Sequence, residues 1–143
     1  PVEVHDHPLP GRVRGRGVLL AQFGNGRDGL AVAVAHLSLG AGSRQSQLSF
    51  IAELLHDHPH AILMGDFNCD PDRPEMQALY KHTRLQPPAV CVPTFPSWRP
   101  QRAIDHILTT KDLHVVNMEA FAAAYSDHLA LAAEIDVPER ALR

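Results

Sequence analysis

Short apolar runs alternate along the chain with turn-forming clusters, and one segment at helical spacing lies between them. Gly17 to Phe23 (GVLLAQF) and Leu30 to Leu37 (LAVAVAHL) read as strands. Between them, Gly24-Asn25-Gly26-Arg27-Asp28-Gly29 is rich in residues that tolerate positive φ, so a hairpin is expected. The second strand is apolar at successive positions, as in a strand covered on both faces, and it ends in His36. Gly40 and Gly42 break it, and Ser43 is the expected N-cap. Leu48, Ile51, Leu54 and Leu55 then recur at helical spacing, which predicts an amphipathic helix over about 44–56, stopped by Pro59. Ala61–Met64 is a third strand, which hands over to Gly65-Asp66-Phe67-Asn68. Strand, helix, strand predicts a crossover unit, right-handed if the two strands are parallel neighbours.

Pro74 sits where a first helical turn accepts it, so 75–82 is expected to be a short helix. Residues 85–102 form a long connection with five prolines, a length that is uncommon unless the loop is functional or disordered. Ala103–Thr110, Leu113–Phe121 and His128–Val137 read as further strands. Residues 1–15 show no periodicity and are expected to be an irregular lead-in, and 138–143 a frayed tail.

A length of 143 residues bounds the chain, 1–143, to one domain with room for a sizeable core. An apolar fraction of 45% and a charged fraction of 20% are those of a globular protein. No run approaches the roughly 20 apolar residues needed to cross a bilayer. The first ten residues have no signal-peptide pattern, and the cytoplasm is the default compartment. The formal net charge of −3 argues against a protein that holds nucleic acid by a large basic surface, though not against one that grips phosphates locally. Cys69 and Cys91 form no framework and are expected to be free thiols. Ten histidines invite a metal reading. The clusters His5-Asp6-His7 and His56-Asp57-His58-Pro59-His60 lack cysteine partners, however, and solvated surface is the stronger reading for both.

Distinctive polar groups interrupt or end four of the apolar runs. Asp66 and Asn68 lie two apart, so in an extended chain both reach one point beyond the strand. A carboxylate and a carboxamide aimed at one spot suit a water, a hard cation or a phosphate, although Gly, Asp and Asn also make an ordinary turn. Asp105 lies within AIDHIL, where a carboxylate needs a partner. His128 is the natural candidate, because a carboxylate behind an imidazole fixes its tautomer and raises its pKa. His36 completes the set.

Taken in order, His36-Leu37, Arg44-x-x-Gln47, Gly65-Asp66-Phe67-Asn68, Thr94-Phe95-Pro96-Ser97-Trp98 with Ile104-Asp105-His106-Ile107, and Ser126-Asp127-His128 resemble the endonuclease/exonuclease/phosphatase superfamily. The resemblance covers roughly 11–137 but matches only the second half of that family's domain. It implies an α/β (α+β) fold: half of a four-layer sandwich, with a mixed, mostly antiparallel sheet and flanking helices. It implies a divalent-metal-dependent phosphoesterase that hydrolyses a phosphodiester by water attack, on nucleic acid or another phosphate ester. Mg²⁺ is the expected ion and Mn²⁺ the substitute. By resemblance, Asp66 orients or deprotonates the water, and Asn68 bonds a phosphate oxygen. His128, backed by Asp105, presents a ring N–H to the phosphate, and His36 is a phosphate ligand or general acid. Asp127, with Asp66 and Asn68, belongs to the metal site. The family's principal metal-binding Glu has no counterpart here. The expectation is therefore that a missing N-terminal half supplies it, or that the chain associates, as a homodimer for instance. Two alternatives stand beside this reading: a sphingomyelinase-like or phosphomonoesterase-like member, and an inactive half-domain serving as a binding or assembly module.

Overall fold

The computed structural model describes residues 2–122 and 124–143. Among these residues, seven strands and two α-helices run in the order β1 (Val2–Pro8), β2 (Gly17–Phe23), β3 (Leu30–His36), α1 (Ala41–Leu55), β4 (His60–Asp66), α2 (Pro74–His82), β5 (Asp105–Thr109), β6 (His114–Phe121) and β7 (Ala130–Asp136). Strands β1 to β5 form one sheet in chain order, antiparallel except for the parallel pair β3–β4, and β6–β7 form a second, two-stranded sheet. The fold is thus the mixed, mostly antiparallel α/β arrangement with flanking helices that the sequence predicts. The chain supplies strands to two sheets rather than one.

One face of the large sheet, carrying Val18, Leu20, Ala31, Ala33, Ala35, Ala61, Leu63 and Leu108, is buried under the helices. From α1 come Leu48, Ile51, Ala52 and Leu55, and from α2 Met76 and Leu79. The small side chains on β3 and β4 let the α1 leucines approach the sheet closely. The opposite face is only partly covered. The β6–β7 sheet and the C-terminal segment close on its lower end, where Leu30 and Ile62 meet Leu113 and Ala141, flanked by Phe23, Val32, Ile107, Ile135 and Val137. Above that, Val2, Val4, Leu19 and Val34 stay exposed, so β3 is not covered on both faces as expected.

Two stretches expected to be irregular are ordered. Residues 2–8 are an edge strand, paired with β2 from Val2↔Phe23 to Pro8↔Gly17. An edge tolerates the polar His5, Asp6 and His7 and a terminal proline, and for that reason the segment lacks an apolar signature. Residues 139–142 form a short 3₁₀ turn with Ala141 fully buried, and Arg140 donates to Asp112 at 2.8 Å, so the tail is fixed rather than frayed. Helix α1 begins earlier than expected, with Gly40 as its N-cap, while the Ser43 hydroxyl accepts a hydrogen bond from the Arg12 N–H. No helix among the described residues is long and apolar enough to cross a membrane.

A buried polar knot ties α1 to α2 and to the end of β3. Arg44 donates to Glu75 through Nε at 3.1 Å and through a terminal nitrogen at 3.0 Å, and also to the carbonyls of Ser38 and Leu39. Gln47 accepts from the Ser38 N–H at 3.0 Å and donates to its hydroxyl at 2.9 Å. Burial pushes the Glu75 carboxyl up, but its own backbone N–H and the Arg44 guanidinium more than offset that, and its pKa lies below the usual value. The folded state therefore favours ionised Glu75. The pair's contribution is complete above pH 4.5, the ordinary carboxyl value, and is lost as the pH falls through the lowered one. Removing Arg44 leaves the buried Glu75 carboxylate with only the half-exposed Arg73, 3.6 Å away, so Arg44→Met should cost up to about 3–5 kcal/mol at neutral pH by urea denaturation. That cost should shrink in acid. A cost under about 1 kcal/mol, or one indifferent to pH, would contradict this account.

Candidate active site

Strand register assembles the centre of the site. His36 of β3 lies opposite Asp66 of β4, and Asp66 lies opposite Asp105 of β5. Side chains alternate across a strand, so all three project from the same face of adjacent strands, at the end away from the β6–β7 hairpin. Gly65 permits this register: its φ is +141°, and a Cβ there would sit 1.8 Å from the Ala35 carbonyl oxygen. Only glycine lets β4 approach β3 that closely. Just past the strand, Asn68 has φ 51°, its N–H bonds Asp66 Oδ1 at 2.9 Å, and its side-chain amide donates to the Leu37 carbonyl at 2.7 Å. The turn and the site, alternatives on sequence grounds, are here the same structure.

His128 enters from the connection before β7, held there by the proline-rich loop. The Thr94 carbonyl accepts from the Leu129 N–H at 2.8 Å, and the Ser97 N–H donates to the Asp127 carbonyl at 2.7 Å. The Ser97 hydroxyl donates to the Ser126 carbonyl at 2.8 Å. So placed, His128 donates from Nδ1 to Asp105 Oδ2 at 2.7 Å, the partner that Asp105 requires. The buried Thr94 hydroxyl donates to that same oxygen at 2.6 Å, and the Phe95 ring lies 4.9 Å from the imidazole. With Nδ1 committed, Nε2 of His128 faces Asp66 Oδ2 at 3.7 Å, and His36 Nε2 approaches the same oxygen at 3.3 Å.

The electrostatics follow from these contacts. Burial pulls the His128 pKa down, but the hydrogen bond and charge of Asp105, with the charges of Asp66 and Asp127, outweigh it and raise the pKa above its usual value. Neighbouring His106 goes the other way: buried against the Phe67 ring and donating to the Cys69 carbonyl at 2.8 Å, it has its pKa lowered by desolvation. Cys69 is buried and its thiol is pushed up to about 11, so it carries no reactive thiolate.

Asp66, Asp105 and His128 each offer an atom within 4.8 Å of the others, a grouping that could hold a metal ion. Asp105 Oδ2 already accepts two hydrogen bonds, which leaves Asp66 as the freer hard oxygen. Asp127 is exposed and lies outside this grouping, although its charge reaches His128. The two histidine-rich clusters form no comparable group among the described residues: His60 is buried in β4, and His56 bonds the His82 carbonyl at 2.9 Å. Trp98 is exposed on the loop, and Arg99 and Arg102 are exposed beside it. Sequence patterns brought out the strand-end residues but gave no role to Thr94, whose one signal was its place before an aromatic in the loop preceding Asp105.

The family model for the endonuclease/exonuclease/phosphatase family matches residues 2–128, and the chain belongs to that family. No curated protein sequence matches it. Several solved structures share the fold. A functionally unknown conserved protein of Enterococcus faecalis V583 is 22% identical, with a TM-score of 0.75 over 94% of this chain and 67% of that one. A mannosyl-6-phosphatase of Bacteroides thetaiotaomicron VPI-5482 is 19% identical, with a TM-score of 0.70 over 94% of this chain and 66% of that one. The human Nocturnin catalytic domain, solved with a bound sulfate anion, is 17% identical, with a TM-score of 0.71 over 94% of this chain and 60% of that one. The chain therefore spans about two thirds of the length of these structures.

Because Asp105 is what lifts the His128 pKa, Asp105→Asn should lower it, and Thr94→Val should loosen the pair without removing the charge. A pH titration of the His128 ring by NMR reads both. An unchanged His128 pKa in Asp105→Asn would show that the two residues are not coupled as described.

Proposed function

Given that family membership, we propose that the chain is a phosphoesterase that cleaves a phosphodiester by water attack with the help of a divalent cation. One observation carries the reading: two imidazole Nε2 atoms, of His36 and His128, flank a single Asp66 oxygen at 3.3 and 3.7 Å. A phosphodiester is anionic and repels an oxygen nucleophile, so catalysis must neutralise its oxygens, orient a water and protect the leaving group. Asp66 is suited to take a proton from the attacking water as the new P–O bond forms. His128, whose protonated form Asp105 favours, donates its Nε2–H to a non-bridging oxygen. His36, more exposed, donates a proton to the departing oxygen as the old P–O bond breaks. The Asn68 amide, fixed by its bond to the Leu37 carbonyl, borders the same spot.

Asp66 is the carboxylate best placed to hold a cation, with Asn68 and Asp127 as further oxygen donors. Mg²⁺ suits this sparse set because it binds through one or two carboxylates and fills its remaining positions with water and phosphate oxygens; Mn²⁺ is the substitute. When bound, such an ion supplies charge neutralisation at the phosphate. Family membership and the fold support this chemistry. The mannosyl-6-phosphatase and Nocturnin likenesses lie far below the identity at which a substrate could be carried across.

On a generic phosphodiester, Asp66→Asn and His128→Ala should each lower kcat by about 10²–10⁴-fold, the usual worth of an acid–base group. A chelator should silence the wild-type chain, and Mg²⁺ should restore it. Near-normal turnover in either correctly folded variant would sink the assignment.

A further inference from the structure

Arg16 stands immediately before β2. The antiparallel register sets Val18 opposite Ala35, so Arg16 lies beside the residues that follow Ala35. One terminal nitrogen of its guanidinium donates to the carbonyls of His36 and Leu37, each at 3.1 Å. Its own carbonyl accepts from the Leu9 N–H at 2.9 Å, which closes the β1–β2 connection behind it.

Those two carbonyls belong to the backbone on which the site is built. The β3–β4 ladder ends at His36 and Asp66, so the chain beyond it needs other support. The Leu37 N–H donates to the Asp66 carbonyl at 2.8 Å, and the Leu37 carbonyl accepts from the Asn68 side-chain amide at 2.7 Å. A carbonyl oxygen has two lone pairs, and at Leu37 Asn68 takes one and Arg16 the other. One residue earlier, the carbonyl that Arg16 holds is that of His36, whose ring approaches Asp66 Oδ2 at 3.3 Å. Among the described residues Arg16 forms no ion pair, and its Nε is buried without an acceptor. A half-buried guanidinium with one donor unsatisfied is a poor device for stability alone. As a charge-assisted donor to two successive carbonyls it is a strong device for placing them.

We propose that Arg16 is a positioning residue of the candidate active site. Through the His36 and Leu37 carbonyls it fixes where the His36 ring and the Asn68 amide stand relative to Asp66. Arg16 acts through these backbone groups and not on the substrate. The kinetic consequence rests on the phosphoesterase reading of the site, and the structural consequence does not.

The test uses the full chain. In the wild type, the Arg16 guanidinium and the Asn68 side-chain amide share one acceptor, so a nuclear Overhauser contact should join their protons. Arg16→Met, which has no donor, should move the NMR resonances of the Asn68 amide and the His36 ring and leave the His114 ring on β6 still. It should also lower kcat on a generic phosphodiester by about tenfold with KM little changed. Arg16→Lys, whose ammonium can donate to both carbonyls, should recover most of that loss. Absence of the wild-type contact overturns the proposal, whether or not Arg16→Met folds. So does a folded Arg16→Met in which the Asn68 and His36 resonances stay in place. The contact and the resonance shifts, in a wild-type chain that hydrolyses no phosphodiester, would leave Arg16 its role and remove the phosphoesterase reading. Normal turnover in a folded Arg16→Met would do the reverse.

Discussion

The parallel pairing of β3 with β4, in the register that sets Ala35 against Gly65 and His36 against Asp66, is the constraint on which the site depends. A shift of one residue would turn Asp66 to the buried face under the helices and His36 away from it. Two things hold the register. Gly65 has no Cβ, so the Ala35 carbonyl can lie where any side chain would collide. The buried Arg44–Glu75 pair and Gln47 grip Ser38 and Leu39, the residues just past β3. The polar knot and the catalytic row are therefore adjacent parts of one construction, in which α1 sets the end of β3 and β3 sets Asp66.

His128 depends on a different support. It does not lie in the five-stranded sheet, and it reaches Asp105 because Thr94 and Ser97 fix the backbone of 126–129. The Thr94 hydroxyl and the His128 ring share one carboxylate oxygen, so the loop that delivers the histidine also orients its partner. This accounts physically for the long proline-rich connection. It has little secondary structure because its backbone groups are spent on holding another segment in place.

Much of the arrangement was legible in the sequence, and what was not has an identifiable cause. The strands around LAVAVAH and AILMG declared themselves as short apolar runs bounded by turn residues, and the helix carrying Leu48, Ile51 and Leu55 by its periodicity. Asp105 asked for a partner because a carboxylate in an apolar run is costly. Edge strand β1 escaped notice because one face of it is polar and its order comes from pairing with β2, which no local pattern encodes. The C-terminal turn escaped because a single buried Ala141 fixes it. Arg44 and Gln47 stood in a motif, but only the packed structure shows them gripping the end of β3.

The central claim is that His36, Asp66 and His128 bound one phosphate site. Its most direct test is an NMR titration of the histidine ring resonances with inorganic phosphate. The account predicts that His36 and His128 shift together along one saturating curve, that the buried His60 stays still, and that the joint response is altered in Asp66→Asn. Independent curves for His36 and His128, or no response from either, would contradict it.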